Sequence, residues 1–268
     1  MKTLDFFRSN PVFTRADFVA STAAAAGRGH RTPDLLLAYY VGKGRLLRLR
    51  RSLYAVVEPG ANRQTQSVDP FLVAAKLADD AVLAYHTALE FHGKAYSVHE
   101  RLVYLTAKVV RPFQFRGQIF RGVPFPRALA SHGQRLFDVK TLDRVGVGVR
   151  VTSLERSLVD VLARPDLGGG WEEVWRSLEL VEFFDLDRVI EYALLLENAT
   201  TAAKVGFFLD QHREALMVED KHLQPLRERR PRSPHYLERR ERSDSRLVAA
   251  WNLIVPERIL RRAWREVL

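Results

Sequence analysis

The stretch TPDLLLAYYVGKGRLLRLRRSLYAVV, residues 32–57, decides how the fold is read. Thr32 is a good N-cap, Pro33 suits the first helical position, and Asp34 puts an acid in the first turn, so a helix begins here. It runs to about Lys43 and stops at Gly44. Spacing of i, i+4 places Leu36, Leu37, Tyr40 and Val41 on a core stripe and leaves Asp34, Leu35, Ala38, Tyr39 and Gly42 outward. Beyond the glycine, Leu47 and Leu49, then Leu53 and Ala55, alternate with polar or basic positions on either side of a tight turn. That alternation predicts a β-hairpin with Arg50, Arg51 and Ser52 at its tip.

Upstream, Leu4, Phe6 and Phe7 give a first short apolar helix face. Phe13 and Thr14 read as an apolar staple and a cap, followed by an Ala-rich helix from Arg15 to Ala26 that ends at Gly27. Arg28-Gly29-His30-Arg31 is a basic turn. Three short helices and a basic hairpin within about 60 residues is the order of a winged helix-turn-helix, whose third helix enters the major groove of DNA while the wing touches the backbone or the minor groove.

The charge has the same focus. The 268 residues carry a formal net charge of +10 at a sequence pI near 10.1, which favours an acidic partner. Residues 1–60 hold +6, residues 61–210 hold −1, and residues 211–268 hold +5. Five basic residues, Lys43, Arg45, Arg48, Arg50 and Arg51, fall in nine positions. Edge strands also use charge to stay soluble, but this density fits phosphate contact. Arg28, Arg31, Thr32 and Lys43 would then position the third helix, with Tyr39 near the groove floor and Arg45, Arg48, Arg50 and Arg51 on phosphates. The outward face of that helix is short of Arg, Asn and Gln, so specificity leans on apolar contacts, the first turn and DNA shape.

Downstream, Glu58 to Ser67 is rich in polar and turn residues and sets the division into a DNA-binding domain over 1–62 and a second domain over 63–268. Asp69-Pro70 opens a helix to about Ala78, Ala81 to Ala84 suits a short strand, and His86 to His92 a helical turn closed by Gly93. Val103–Thr106, Gln118–Phe120 and Val147–Val151 read as strands. Helical patterning follows over Ser153 to Ala163, Trp171 to Leu180, Leu186 to Leu196 and Thr201 to His212. The segment 226–246 holds eight Arg against four acids and is either a loop or a docked arm. Trp251 to Pro256 resembles a last strand and Glu257 to Leu268 a basic amphipathic helix. The fold class expected is α+β, a winged helix-turn-helix followed by a mixed α/β domain with a small sheet and a helical C-terminal part.

Most enzyme signatures are missing. With no Cys there is no disulfide framework, thiolate metal site or cysteine nucleophile. His86 and His92 are six apart, off a common helix face, and no HExxH occurs, so they read as structural histidines and neither metal nor cofactor is expected. Asp138-Val139-Lys140 and Glu219-Asp220-Lys221 match half of a metal-dependent nuclease site, yet neither sits on an evident strand with a paired upstream carboxylate. Glu155 and Asp160 point apart on one helix, where a cap and a buried Glu–Arg or Arg–Asp pair fit better. Gly146-x-Gly148 lacks the context of a dinucleotide site. No signal-like apolar core or membrane-spanning run of roughly 20 residues is present, and a cytoplasmic location is expected.

Several stretches together resemble the AbiEi antitoxin and transcriptional-regulator family. They are the helix-turn-helix ending Gly44-Arg45-Leu46 and Arg51-Ser52-Leu53-Tyr54, then Tyr85 to Gly93, Val151 to Asp160, Lys204 to Leu209 and Trp251 to Pro256. The resemblance implies a winged-helix domain that binds double-stranded operator DNA and represses its own operon. It also implies a C-terminal domain that counteracts a partner nucleotidyltransferase toxin, and no enzymatic activity. Ser52 stands where that family commonly has glycine. A stand-alone transcription factor is the alternative, and a nuclease using Asp138 and Lys140 ranks below it.

Overall fold

The computed structural model describes residues 3–23, 32–238 and 244–262. The first unit comprises α1 (Thr3–Ser9), β1 (Val12–Thr14), α2 (Arg15–Ala23), α3 (Pro33–Gly42), β2 (Leu46–Arg50) and β3 (Leu53–Val56). Its helix spans follow local signals: the Thr32 hydroxyl accepts from Leu35 N–H, and Gly44 takes a positive φ of 70° where α3 ends. Thr14 caps α2 as read, its hydroxyl accepting from the Asp17 N–H and its own N–H donating to the Asp17 carboxylate, and the segment Val12–Thr14 has a second role. It is a strand paired antiparallel with β3, giving the sheet order β1-β3-β2. The core under the helices is aromatic, with Phe6, Phe7, Phe13 and Phe18 in mutual edge and stacked contacts around Leu37, Leu46 and Tyr54. Such rings bury large area and prefer offset or edge geometry.

The wing sheet is covered on both faces. Leu46 and Tyr54 point into the aromatic core, whereas Val12, Leu49, Leu53 and Ala55 join a cluster with Phe71, Leu72, Leu77, Leu102 and Tyr104 of the chain beyond the linker. The hairpin alternation is therefore right. Its apolar stripe faces the rest of the molecule, not the three helices.

Beyond residue 67 come α4 (Pro70–Ala75), β4 (Val82–Leu83), α5 (His86–Phe91), β5 (Arg101–Leu105), β6 (Phe113–Phe115), β7 (Gln118–Val123), α6 (Arg127–Ser131), β8 (Val139–Arg144) and β9 (Val147–Thr152). These strands form one mixed sheet of order β6-β7-β5-β4-β9-β8. Side-chain alternation on β5 sends Leu102 and Tyr104 toward the wing and Val103 and Leu105 toward the opposite layer. That layer holds α7 (Leu154–Ala163), a 3-10 turn at Pro165–Leu167, α8 (Trp171–Glu179), α9 (Leu186–Leu195), α10 (Ala199–Gln211) and α11 (Asp220–Arg229). A second small sheet, β10 (His235–Tyr236), β11 (Ser245–Val248) and β12 (Leu253–Pro256), closes the chain with α12 (Glu257–Leu260). Helices and sheets thus combine as an α+β fold.

One expectation changes, one is borne out and one alternative narrows. Val139–Arg144 is a strand, so Asp138 lies at a strand start after all; its carboxylate accepts from the Ser153 hydroxyl at the head of α7 and lies 3.8 Å from Arg188. Glu219-Asp220-Lys221 begins a helix, where Glu219 N–H donates to His222 Nδ1 and Lys221 pairs with Glu219. Of the Arg-rich segment, residues 235–236 pair parallel with β12, which favours the docked arm over the loop for that part. The proposed continuation of the last helix over 263–268 lies outside the described residues. Among the described residues no helix is long and apolar enough to cross a membrane.

The expected Arg–Asp pair lies in α7. Arg156 and Asp160 are buried 3.4 Å apart, Arg156 donates to the carbonyls of Arg135 and Phe137, and Tyr192 OH donates to Asp160. Burial still raises the Asp160 pKa, though Arg156 and Tyr192 oppose it.

Candidate nucleic-acid interface

The outward face of α3 is the one read from its spacing. Leu35 is 59% and Tyr39 45% exposed, Asp34, Ala38 and Gly42 are exposed beside them, and Leu37 is buried. Thr32 acts as the cap. Tyr39 packs edge-on against Tyr40 and lies 5.8 Å under the Lys43 ammonium, so the last turn presents an aromatic ring beside a cation. Arg28 and Arg31 lie outside the described residues.

Asp34 would repel a phosphate backbone were its charge left alone. Arg15, the first residue of α2, binds it through two hydrogen bonds of 2.6 and 2.7 Å, and the pair lowers the Asp34 pKa while raising that of Arg15. This fork joins the two helices of the turn and neutralises the only acid in α3. From the linker, Arg63 reaches the Val41 carbonyl at the helix's end. Neither role of these arginines was readable, because their partners lie 19 and 22 residues away.

The five wing cations divide. Lys43, Arg45, Arg48 and Arg51 are exposed, and Arg45, Arg48 and Arg51 have no ion pair or side-chain hydrogen bond among the described residues. Arg50 departs from the phosphate-contact expectation. A bulge between Arg48 and Arg50 shifts the register, and its guanidinium turns inward to the Leu77 carbonyl at 3.3 Å and the Phe113 ring at 5.9 Å. Ser52 completes the turn with φ 62°, the left-handed conformation that glycine adopts with less strain. Lys76 pairs with Asp17 of α2 at 2.9 Å, and Arg116 donates to the Gln66 and Arg63 carbonyls of the linker.

A helix-turn-helix with an exposed second helix and a cationic hairpin beside it is the arrangement of a winged helix-turn-helix. Residues 1–57 match the AbiEi antitoxin family of transcriptional regulators. The match covers α1 to β3 and stops at the linker. The whole chain also resembles a solved structure, the RV2827C protein from Mycobacterium tuberculosis, at a TM-score of 0.62 and 20% identity, over 97% of this chain and 92% of that one. At that identity the likeness shows a shared fold. No curated protein matches the chain.

Proposed function

We propose that the chain is a non-enzymatic, DNA-binding transcriptional autorepressor and antitoxin, with residues 1–62 as the operator-binding domain and residues 63–268 acting against a nucleotidyltransferase toxin. The exposed face of α3, flanked by Arg45, Arg48 and Arg51 with no ion pair among the described residues, carries the reading, supported by the family match over the same residues. In it, Leu35, Ala38 and Tyr39 meet base edges, where apolar groups suit thymine methyls. Lys43, Arg45, Arg48 and Arg51 contact phosphates, with Arg28 and Arg31 at the entrance to α3. Arg50 holds the wing to the second domain and is left out of the contact set. Asp138 and Lys140 have no assigned chemistry.

The experiment is a salt titration of binding to the chain's own promoter fragment. In the Arg48→Ala/Arg51→Ala variant the slope of log K against log salt should fall by roughly 0.9 per lost contact. An unchanged slope and affinity would refute the wing assignment. Co-expression with the product of an adjacent nucleotidyltransferase gene tests the second half: rescue of growth that needs residues 63–268 supports it, and persistent toxicity leaves a stand-alone transcription factor.

A further inference from the structure

Three donor side chains from three separate elements meet beneath the Gly168–Gly170 loop. His86 opens α5, His99 lies in the segment before β5, and Glu173 is in the first turn of α8. One donor atom from each lies within 4.8 Å of the others. We propose that His86, His99 and Glu173 bind a single divalent ion of the zinc class.

The charge in this pocket favours a cation. Glu173 is buried and Glu90 nearly so, with His86 between them at 3.0 Å from Glu173 and 3.7 Å from Glu90. Two carboxylates beside imidazoles in a poorly hydrated pocket are costly unless a proton or a metal offsets them. The hydrogen bonding is also incomplete, since His86 Nδ1 and Glu90 Oε2 are buried without a partner. Imidazole and carboxylate are ordinary zinc donors.

Glu173 is already oriented as a ligand would be. Ser97 N–H, Ser97 Oγ and Ser177 Oγ all donate to it, while Oε2 faces His99 Nε2 across 4.0 Å, too far for a hydrogen bond. Donors on a tetrahedral zinc sit about 3.3 Å apart, so the site needs to close by under an ångström there. His86 and His99 are stacked at 3.8 Å with planes 9° apart. An ion lying in both ring planes requires one ring to turn, and His99, with its side chain 31% exposed, is at the edge where it can.

Gly169 makes the room. A Cβ there would lie 2.5 Å from His99 Cε1 and 2.6 Å from Glu173 Cγ, so the loop can sit over the pair only without a side chain. His92 takes no part. Its Nε2 is bonded to the Thr152 carbonyl at 2.8 Å.

The test uses the full chain, free of any histidine tag and stripped with chelator, titrated with zinc by calorimetry and with cobalt(II) by visible absorption. One ion per chain should bind, with the absorption of four-coordinate cobalt. His99→Gln should weaken zinc at least tenfold and remove the cobalt spectrum, Glu173→Gln should do the same, and His92→Gln should leave both unchanged. Absence of binding at micromolar zinc, or binding that survives His99→Gln in a folded protein, overturns the proposal and leaves a hydrogen-bonded structural cluster.

Discussion

Arg51 on the wing and Arg156 in α7 carry the same charge in opposite surroundings. Arg51 is exposed at a hairpin tip with no partner among the described residues, whereas Arg156 is fully buried and held by Asp160 and two backbone carbonyls. The difference teaches how one residue type serves two ends. A solvated guanidinium keeps its attraction for an incoming phosphate and contributes little to folding. A desolvated one contributes nothing to binding, but its removal strands a buried carboxylate.

Arg156→Ala should have the largest effect, a loss of about 3–5 kcal/mol in chemical denaturation, because Asp160 is left buried with only Tyr192. Arg51→Ala should change stability by less than about 0.5 kcal/mol in the same assay. Equal losses would erase the contrast. Arg156→Met combined with Asp160→Asn should recover part of the loss, since it removes both charges together.

Next in size is Gly206→Ala. In an open helix it would gain about 1 kcal/mol, but a Cβ at this position would lie 2.1 Å from the Trp251 ring. A net destabilisation of about 1–3 kcal/mol is expected from thermal melting, and a raised melting temperature would show that the β12 region yields.

The smallest effect concerns Asp17, a charged group between the two cases in exposure. Burial pushes its carboxyl up, but the Thr14 N–H and Lys76 outweigh that and hold it below the usual value. A depressed carboxyl contributes stability above its unfolded value near 3.8, and that stability is lost as pH falls through the lower folded value. Asp17→Asn should flatten the stability curve below about pH 4 by a fraction of a kcal/mol, and an identical acid limb would show the Lys76 contact to be idle.

Much of the fold was legible because helices advertise themselves locally. Thr32, Asp69 and Ser153 each cap the helix that their sequence context announces, and the apolar stripe of α3 emerged as read. Short or polar edge strands were not legible. Phe113–Phe115 and Val139–Arg144 are edge strands with much of their surface exposed, so their patterning is weak, and pairing with β7 and β9 creates them. The candidate interface was legible as a basic stretch and not as individual contacts. A bulge at Leu49 turned Arg50 inward, which no spacing rule foretells.

The sequence by itself determined a winged helix-turn-helix order, its helix ends, the outward face of α3 and the concentration of positive charge beside it. Those features depend on residues within a few positions of one another, where capping, turn chemistry and periodicity operate. Tertiary structure alone decided that the wing is covered on both faces, that Arg15 neutralises Asp34, and that His99 and Glu173 converge on His86. Each of these joins residues 13 or more positions apart, and only tertiary folding brings such side chains within reach.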